Sequence, residues 1–340
     1  MPDLQSKVID FHNQIKVEEE ELRTSRDALL TKICQTLKDK GLPTPGLINQ
    51  GSYIYGVGIK PIADLEHDID VGLEFNICAD DYDPKTIRGW VLDAVKDHTK
   101  EAPEEKTSCI RVRYQAGYHV DLVIYAKYKT KREKETDQEN HQIALKNGEW
   151  RPSEPKKLKQ FIQDEMNKFK STANSGSGNQ LQRVVRSLKR WNDEALPFES
   201  DDKPVGLALL LFAIKHLSPT FDKYGKVDDL HAIKTVADQA AGTFGRITCD
   251  KPTQEFEDIF GKISENGMED LKARFSKLSD TIKAAQESES LADACKLLQT
   301  VFGLDFPDGE DDRPKSSRSK SEILSAAVAD TTQPTQPWRS

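Results

Sequence analysis

Three aspartates occur in stretches that read as β-strands: Asp68 and Asp70 in HDIDVGLEF, and Asp121 in HVDLVIY. Side chains i and i+2 of a strand point to one side. Asp68 and Asp70 therefore project together with Gly72, while Ile69, Val71 and Leu73 take the other face. Two carboxylates that close repel, and burying them without a cation is costly. Oxygen ligands outside any Cys/His cluster suit a hard cation, Mg²⁺ or Mn²⁺. Asp121, set among apolar residues on another strand, is the natural third ligand. Each piece also has a plainer reading. A DxD pair can be a turn or a solvated pair, and Asp121 can cap a sheet edge or pair with Arg111 or Arg113. Upstream, Gly51–Ser52 in QGSYIYGVGIKPI reads as a tight turn leading towards the DxD strand.

These residues need a sheet and a frame. GLINQGS reads as a strand entering the Gly-Ser turn. SCIRVRYQAGYHVDLVIYAKY reads as a hairpin turning near Gln115–Gly117, with Val120, Leu122 and Ile124 on one face and Asp121, Val123 and Tyr125 on the other. PKTIRGWVLDAVKDHT reads as the helix between them. Ahead of the sheet, Leu4, Val8, Phe11, Ile15, Leu22, Leu29, Ile33 and Leu37 recur at helical spacing, which predicts one long helix over residues 3 to about 40, stopped by Gly41 and Pro43. Its KVEEEEL run reads as a solvated face.

From SEPKKLKQFIQDEMNKF onward the pattern is helical. STANSGSGNQ is a lid-like loop, LQRVVRSLKRWNDEA and PVGLALLLFAIKHL are strong helices, and weaker ones are expected over 227–242, 254–263 and 279–300. In LQRVVRSLKRW, Val184, Val185, Leu188 and Trp191 form a core stripe. Arg183, Arg186, Lys189 and Arg190 read either as solvated face or as a basic patch. Tyr53, Tyr55 and Tyr125 can stack on a base, core packing being the plainer reading. The expected division is 1–160 for the catalytic core with its N-terminal helix, 161–307 for a helical lobe, and 308–340 for a disordered tail.

Composition narrows the function classes. The chain is 36% hydrophobic and 31% charged, as expected for a globular protein with a sizeable core. VGLALLLFAI, the longest apolar run, is about half of the roughly 20 residues a spanning helix needs, so no membrane partner is expected. No signal peptide is visible, and the expected compartment is the cytoplasm. Five scattered cysteines without a CxxC or Cys/His cluster read as reduced thiols. A net charge of −8 argues against coating a long nucleic acid.

Together, QGSYIYGVGIKPI, DIDV and HVDLVIY resemble the nucleotidyltransferase superfamily that includes DNA polymerase β. Within it they resemble the cyclic-oligonucleotide synthases related to cyclic GMP-AMP synthase and oligoadenylate synthase. GEWRPSEPKKLKQFI, LQRVVRSLKRW and FGLDFP look like landmarks of the bacterial branch, and the resemblance spans roughly residues 40 to 307. It implies an α/β (α+β) fold: a polymerase-β-like core with a mixed sheet, a long N-terminal helix and a C-terminal helical lobe. It also implies that Gly51 and Ser52 hold a donor triphosphate, that Asp68 and Asp70 bind two Mg²⁺ ions, and that Asp121 completes the site that activates a ribose hydroxyl. Lys189, at the LKRW position, would reach the donor phosphates as a point charge. Val205 stands where relatives often carry a serine, so no phosphate ligand is assigned in that segment.

The expected activity is therefore synthesis of a cyclic di- or trinucleotide messenger from nucleoside triphosphates, ATP first and GTP second. Its setting would be bacterial antiphage defence, with regulatory partner proteins. Two alternatives stand beside it: nucleotide addition to RNA or to a protein, and a non-catalytic nucleotide-binding scaffold.

Overall fold

In the computed structural model, residues 3–17, 20–62, 67–196 and 200–310 are described. The chain opens with helices α1 (Leu4–Ile15) and α2 (Glu20–Asp39) and strands β1 (Gly46–Asn49) and β2 (His67–Cys78). Helix α3 (Pro84–Val95), strands β3 (Glu104–Glu105), β4 (Ile110–Tyr114) and β5 (Tyr118–Tyr128) follow. The short α4 (Lys131–Glu135) then leads to β6 (Gln142–Ala144) and β7 (Trp150–Pro152). The rest is helical: α5 (Pro155–Asn167), α6 (Gln180–Ala195), α7 (Gly206–His216), α8 (Asp229–Ala241), α9 (Glu265–Glu287) and α10 (Leu291–Phe302).

The sheet is mixed, in the order β1-β2-β5-β4-β3, and β6 pairs with the far part of β5 and carries β7. β2 and β5 run parallel at its centre, joined by a crossover through α3. β4 and β5 form the expected hairpin, turning at Gly117 with φ 81°. Alternation along the strands puts Ile69, Val71, Leu73, Val120, Leu122 and Ile124 into one core with Leu29, Ile33 and Leu37 of α2 and Ile87 and Val91 of α3. The other face carries the acidic side chains and a small cluster that includes Ile48, Cys109, Val123 and Tyr125. Burying an aliphatic side chain of this size contributes roughly 1.5–3 kcal/mol, so the alternation is strongly enforced.

The single long N-terminal helix is instead two helices with different cores. α1 ends where Lys16 turns extended and bridges Ile59, and where the Lys60 N–H donates to the Ile15 carbonyl at 2.7 Å. Its Leu4, Val8, Phe11 and Ile15 pack into the helical lobe, with Phe11 5.3 Å from Phe302 and 5.2 Å from Phe306 between ring centroids. Of the acidic run that read as a solvated face, Glu18 and Glu19 lie outside the described residues, as do the side chains of residues 20–22, which open α2.

Two further helix expectations change. Residues 254–263 form turns, because the Asp258 carboxylate accepts from the Cys249 and Phe260 N–H groups at 3.0 and 3.1 Å and closes a loop. The weak pattern over 279–300 belongs to α9 and α10, separated at Ser290, whose hydroxyl caps α10 by accepting from the Asp293 N–H at 3.2 Å. The expected tail lies, from Asp311 to Ser340, outside the described residues.

Candidate active site

The parallel pairing of β2 with β5 sets Asp70 and Asp121 directly opposite each other, and the antiparallel pairing of β4 with β5 sets Arg111 opposite Asp121. Asp121 is nearly buried, at 7% exposure. Arg111 grips it with a two-pronged contact, Nε to Oδ1 at 2.8 Å and Nη2 to Oδ2 at 2.7 Å. Asp121 is therefore an ion-pair partner of Arg111, and it also stands beside the DxD strand. Each carboxylate oxygen keeps a second lone pair for another ligand. Arg113 goes elsewhere, to Glu104 at 3.2 Å. Asp68 lies two residues earlier on β2, with its backbone opposite His119; its side chain falls outside the described residues. The Cys109 thiol is pushed up by burial and then by the charge of Asp121, so it stays protonated and adds no soft ligand. The remaining donor set is oxygen, which fits a hard divalent cation.

The Gly-Ser turn meets these carboxylates physically. Gly51 has φ 83°, and a Cβ there would lie 2.5 Å from Asp70 Oδ2. Only glycine lets the backbone come this close. Next to it, Tyr125 donates to Gln50 Oε1 at 3.1 Å, and burial raises that hydroxyl above its ordinary range. Gly72 makes room for the same ring, since a Cβ there would stand 3.1 Å from Tyr125 Cε2 and 2.9 Å from Ile48 Cβ. After the turn, the Val57 N–H donates back to the Ser52 carbonyl at 3.0 Å. Tyr55 and Tyr125 are core residues at 6% and 5% exposure. Tyr53 is half-buried, with the Arg23 and Arg26 guanidinium carbons 5.3 and 5.4 Å from its ring centroid.

The basic residues of α6 do not form a solvated face. Arg183, Arg186 and Arg190 are at most 3% exposed. Arg183 pairs with the buried Asp229, Nε to Oδ2 at 2.6 Å. The others turn to the loop that follows the Gly-Ser turn. Gln182 Nε2 donates to the Tyr55 carbonyl at 2.8 Å, Arg186 to Gly56, Lys189 Nζ to Val57 at 3.1 Å and Arg190 Nη2 to Lys60 at 2.9 Å. Lys189 is thus brought to the loop downstream of Ser52. Val205 starts α7 with 56% exposure and no side-chain cap, consistent with the missing hydroxyl.

Two residues beyond Gly72, Glu74 meets Glu139 and His141, with one ligand atom of each within 4.8 Å of the others. Nothing in their spacing signals this cluster. His141 Nε2 is 2.5 Å from Glu74 Oε1, and Lys156 Nζ reaches Glu74 at 2.8 Å and Glu139 at 2.9 Å. The His141 contact, then Lys156, holds the Glu74 carboxyl down at about 2. A cation already sits in this cluster as the Lys156 ammonium.

Residues 45–125, from β1 through most of β5, match the family model for the nucleotidyltransferase domain of cyclic GMP-AMP synthase DncV-like proteins, so this stretch is similar to that domain. A c-di-GMP synthase of Roseivirga ehrenbergii is 30% identical over 135 residues, 36% of this chain and 32% of that protein, so the match spans about a third of the relative's length. The crystal structure of Vibrio cholerae DncV cyclic AMP-GMP synthase superposes with a TM-score of 0.70 at 19% identity, over 87% of this chain and 93% of that one. The same Vibrio cholerae protein in complex with the linear intermediate 5′ pppA(3′,5′)pG gives 0.63 at 21% identity, over 78% and 70%. At these identities the likeness establishes the fold. Among the described residues, no helix is long and apolar enough to cross a membrane.

Proposed function

We propose that this chain joins nucleoside triphosphates into a cyclic dinucleotide messenger, or a trinucleotide, releasing pyrophosphate at each bond. The observation that carries the reading is the Asp70–Asp121 pair, in register across β2 and β5, with the Gly51 backbone resting on Asp70. Asp68, Asp70 and Asp121 are the proposed ligands of Mg²⁺, with Mn²⁺ as its substitute. Such an ion lowers the pKa of a bound hydroxyl and neutralises charge on transferring phosphate.

The protein's own part is positional. Backbone N–H groups at Gly51–Ser52 and the Ser52 hydroxyl bind the donor phosphates, and Lys189 adds a point charge to them. A ribose hydroxyl oxygen of the second nucleotide, giving up its proton to water, then bonds to the donor α-phosphorus. The bond from that phosphorus to the bridging oxygen breaks, and pyrophosphate leaves with the electron pair. Closing a ring needs a second such step. One carboxylate set serves both if the linear intermediate turns around between them.

The DncV-like match and the bound linear intermediate of the Vibrio cholerae protein support small nucleotides as substrates. ATP is the first proposed substrate and GTP the second. A cytoplasmic, antiphage setting with regulatory protein partners completes the reading. The proposed division is a catalytic part to about residue 160, a helical lobe to 307 and a tail beyond it. Labelled triphosphates with Mg²⁺ and no added acceptor test the reading. A cyclic product in mass spectrometry supports it; transfer only to added RNA or protein, or binding without turnover, selects the corresponding alternative.

A further inference from the structure

We propose that Arg186 is a positioning residue: it fixes the Gly51–Ser52 turn against the carboxylates by tying the Gly56 carbonyl to helices α6 and α1. The assignment rests on the nucleotidyltransferase reading above.

Gln182, Arg186, Lys189 and Arg190 are spaced i, i+4, i+7 and i+8, which places them on one face of α6. All four donate to consecutive or near-consecutive carbonyls of one loop, those of Tyr55, Gly56, Val57 and Lys60. Charged donors to carbonyls make hydrogen bonds stronger than neutral ones. The fit is close: Gly56 has φ 62°, and a Cβ there would stand 2.8 Å from Gln182 Nε2. Arg186 differs from its neighbours in having a second anchor. Its Nη2 donates to Gly56 while its Nη1 donates to the ring of His12 on α1. Both residues are buried, at 3% and 0% exposure.

The loop carries this constraint to the site over a short path. The Ser52 carbonyl accepts from the Val57 N–H at 3.0 Å, so Gly56–Val57 and Ser52 move together. Gly51, next in the chain, rests on Asp70. The other end of the loop is fastened to α1 as well, through the Lys60–Ile15 bond and the Lys16–Ile59 bridge. The phosphate-facing turn of the sheet half is therefore held by the helical half. A planar fork is required for this, since a Lys ammonium reaches one of the two anchors and not both.

A plain packing role predicts lower stability with unchanged kinetics of the folded protein. A positioning role predicts a change in triphosphate affinity. Full-length Arg186→Lys and Arg186→Met proteins, with His12→Gln as a second entry to the same link, are compared with wild type by thermal melt. The same proteins are then assayed for binding of an ATP analogue with a fluorescent ribose label and for pyrophosphate release. In the folded Arg186→Met protein, KM for triphosphate should rise about tenfold, the equivalent of one charged hydrogen bond, while kcat changes less. Arg186→Lys should recover part of that loss, and His12→Gln should show a smaller effect of the same kind. An unchanged KM and analogue affinity in folded Arg186→Lys and His12→Gln overturns the assignment, even if Arg186→Met fails to fold. Wild type that binds no triphosphate overturns the functional reading, and the positioning role with it.

Discussion

Asp121 stands between two charged neighbours in register, Asp70 on the parallel strand β2 and Arg111 on the antiparallel strand β4. Arg111 holds both of its oxygens, at 2.8 and 2.7 Å. The row of alternating function follows from strand pairing alone: one carboxylate is neutralised from the side facing away from its acidic partner. That lets Asp121 share a sheet face with Asp70.

Removing the fork should expose this balance. Arg111→Met leaves a nearly buried Asp121 facing Asp70, and should cost about 3 kcal/mol of stability, as for other broken buried pairs. Adding Asp121→Asn should restore much of the loss. Urea unfolding of both single variants and the double variant measures the coupling. Additive losses would mean that the pair carries no such energy.

Gly51→Ala should damage both stability and activity. The left-handed backbone at φ 83° costs a Cβ-bearing residue about 1–2 kcal/mol, and the new methyl would push on Asp70. Calorimetry should show a lower melting temperature, and pyrophosphate release by the folded fraction should fall more than tenfold, roughly the effect of misplacing a reacting group by an ångström. Normal turnover in the variant would show that the turn does not set the carboxylate.

Acid should destabilise the fold through His12. Burial, then the charges of Arg186 and Arg183, lower this imidazole from 6.5 to about 2, so it stays neutral and accepts from Arg186. Between those values only the unfolded chain takes up the proton. Stability is therefore full above 6.5 and falls with pH, by about 2 kcal/mol at pH 5. Glu74, lowered from 4.5 to about 2, acts in the same direction but only as pH falls below about 4.5. His98 and His216, also lowered by burial, add smaller amounts because they are less enclosed. His12→Gln keeps an acceptor and removes the proton site. Its urea midpoint should vary less between pH 6.5 and 5 than that of wild type; equal slopes would remove His12 as the source.

Lys189→Ala should weaken triphosphate use more than folding. The ammonium now sits 3.1 Å from the Val57 carbonyl, near the turn proposed to hold phosphate. Losing one charged contact costs about 1.5–3 kcal/mol. Titration with a fluorescent triphosphate measures it, and unchanged affinity would place Lys189 in loop support alone.

The strand pattern around Asp70 and Asp121 was legible because apolar and polar positions alternate over whole strands, and each face has its own core. What alternation cannot give is pairing. That Asp70 meets Asp121, and that Arg111 grips the latter, depends on a crossover through α3 and on a hairpin register. The break between α1 and α2 was hidden because the apolar spacing continues across it. The visible trace is that Glu18 and Glu19 stand where helical spacing from Ile15 calls for an apolar residue, just after Lys16 pairs with Ile59. Likewise the arginines of α6 read as solvated face or basic patch because Arg186 and Arg190 turn to backbone carbonyls, which have no residue type to recognise, and Arg183 to an aspartate distant in sequence, Asp229. Glu74, His141 and Lys156 meet only because β6 pairs with β5 and α5 follows β7.

The central claim is that one carboxylate set, Asp68, Asp70 and Asp121, makes every bond. The most direct measurement is mass spectrometry of products from wild type and the folded Asp121→Asn variant. Each is given Mg²⁺ with either ATP and GTP or a synthetic linear dinucleotide triphosphate. Wild type should yield a cyclic product from both supplies, and the variant should yield none from either, because both bonds need the charge that Asn lacks. A variant that still closes the linear intermediate at the wild-type rate would contradict the single-site account and require a second site for ring closure.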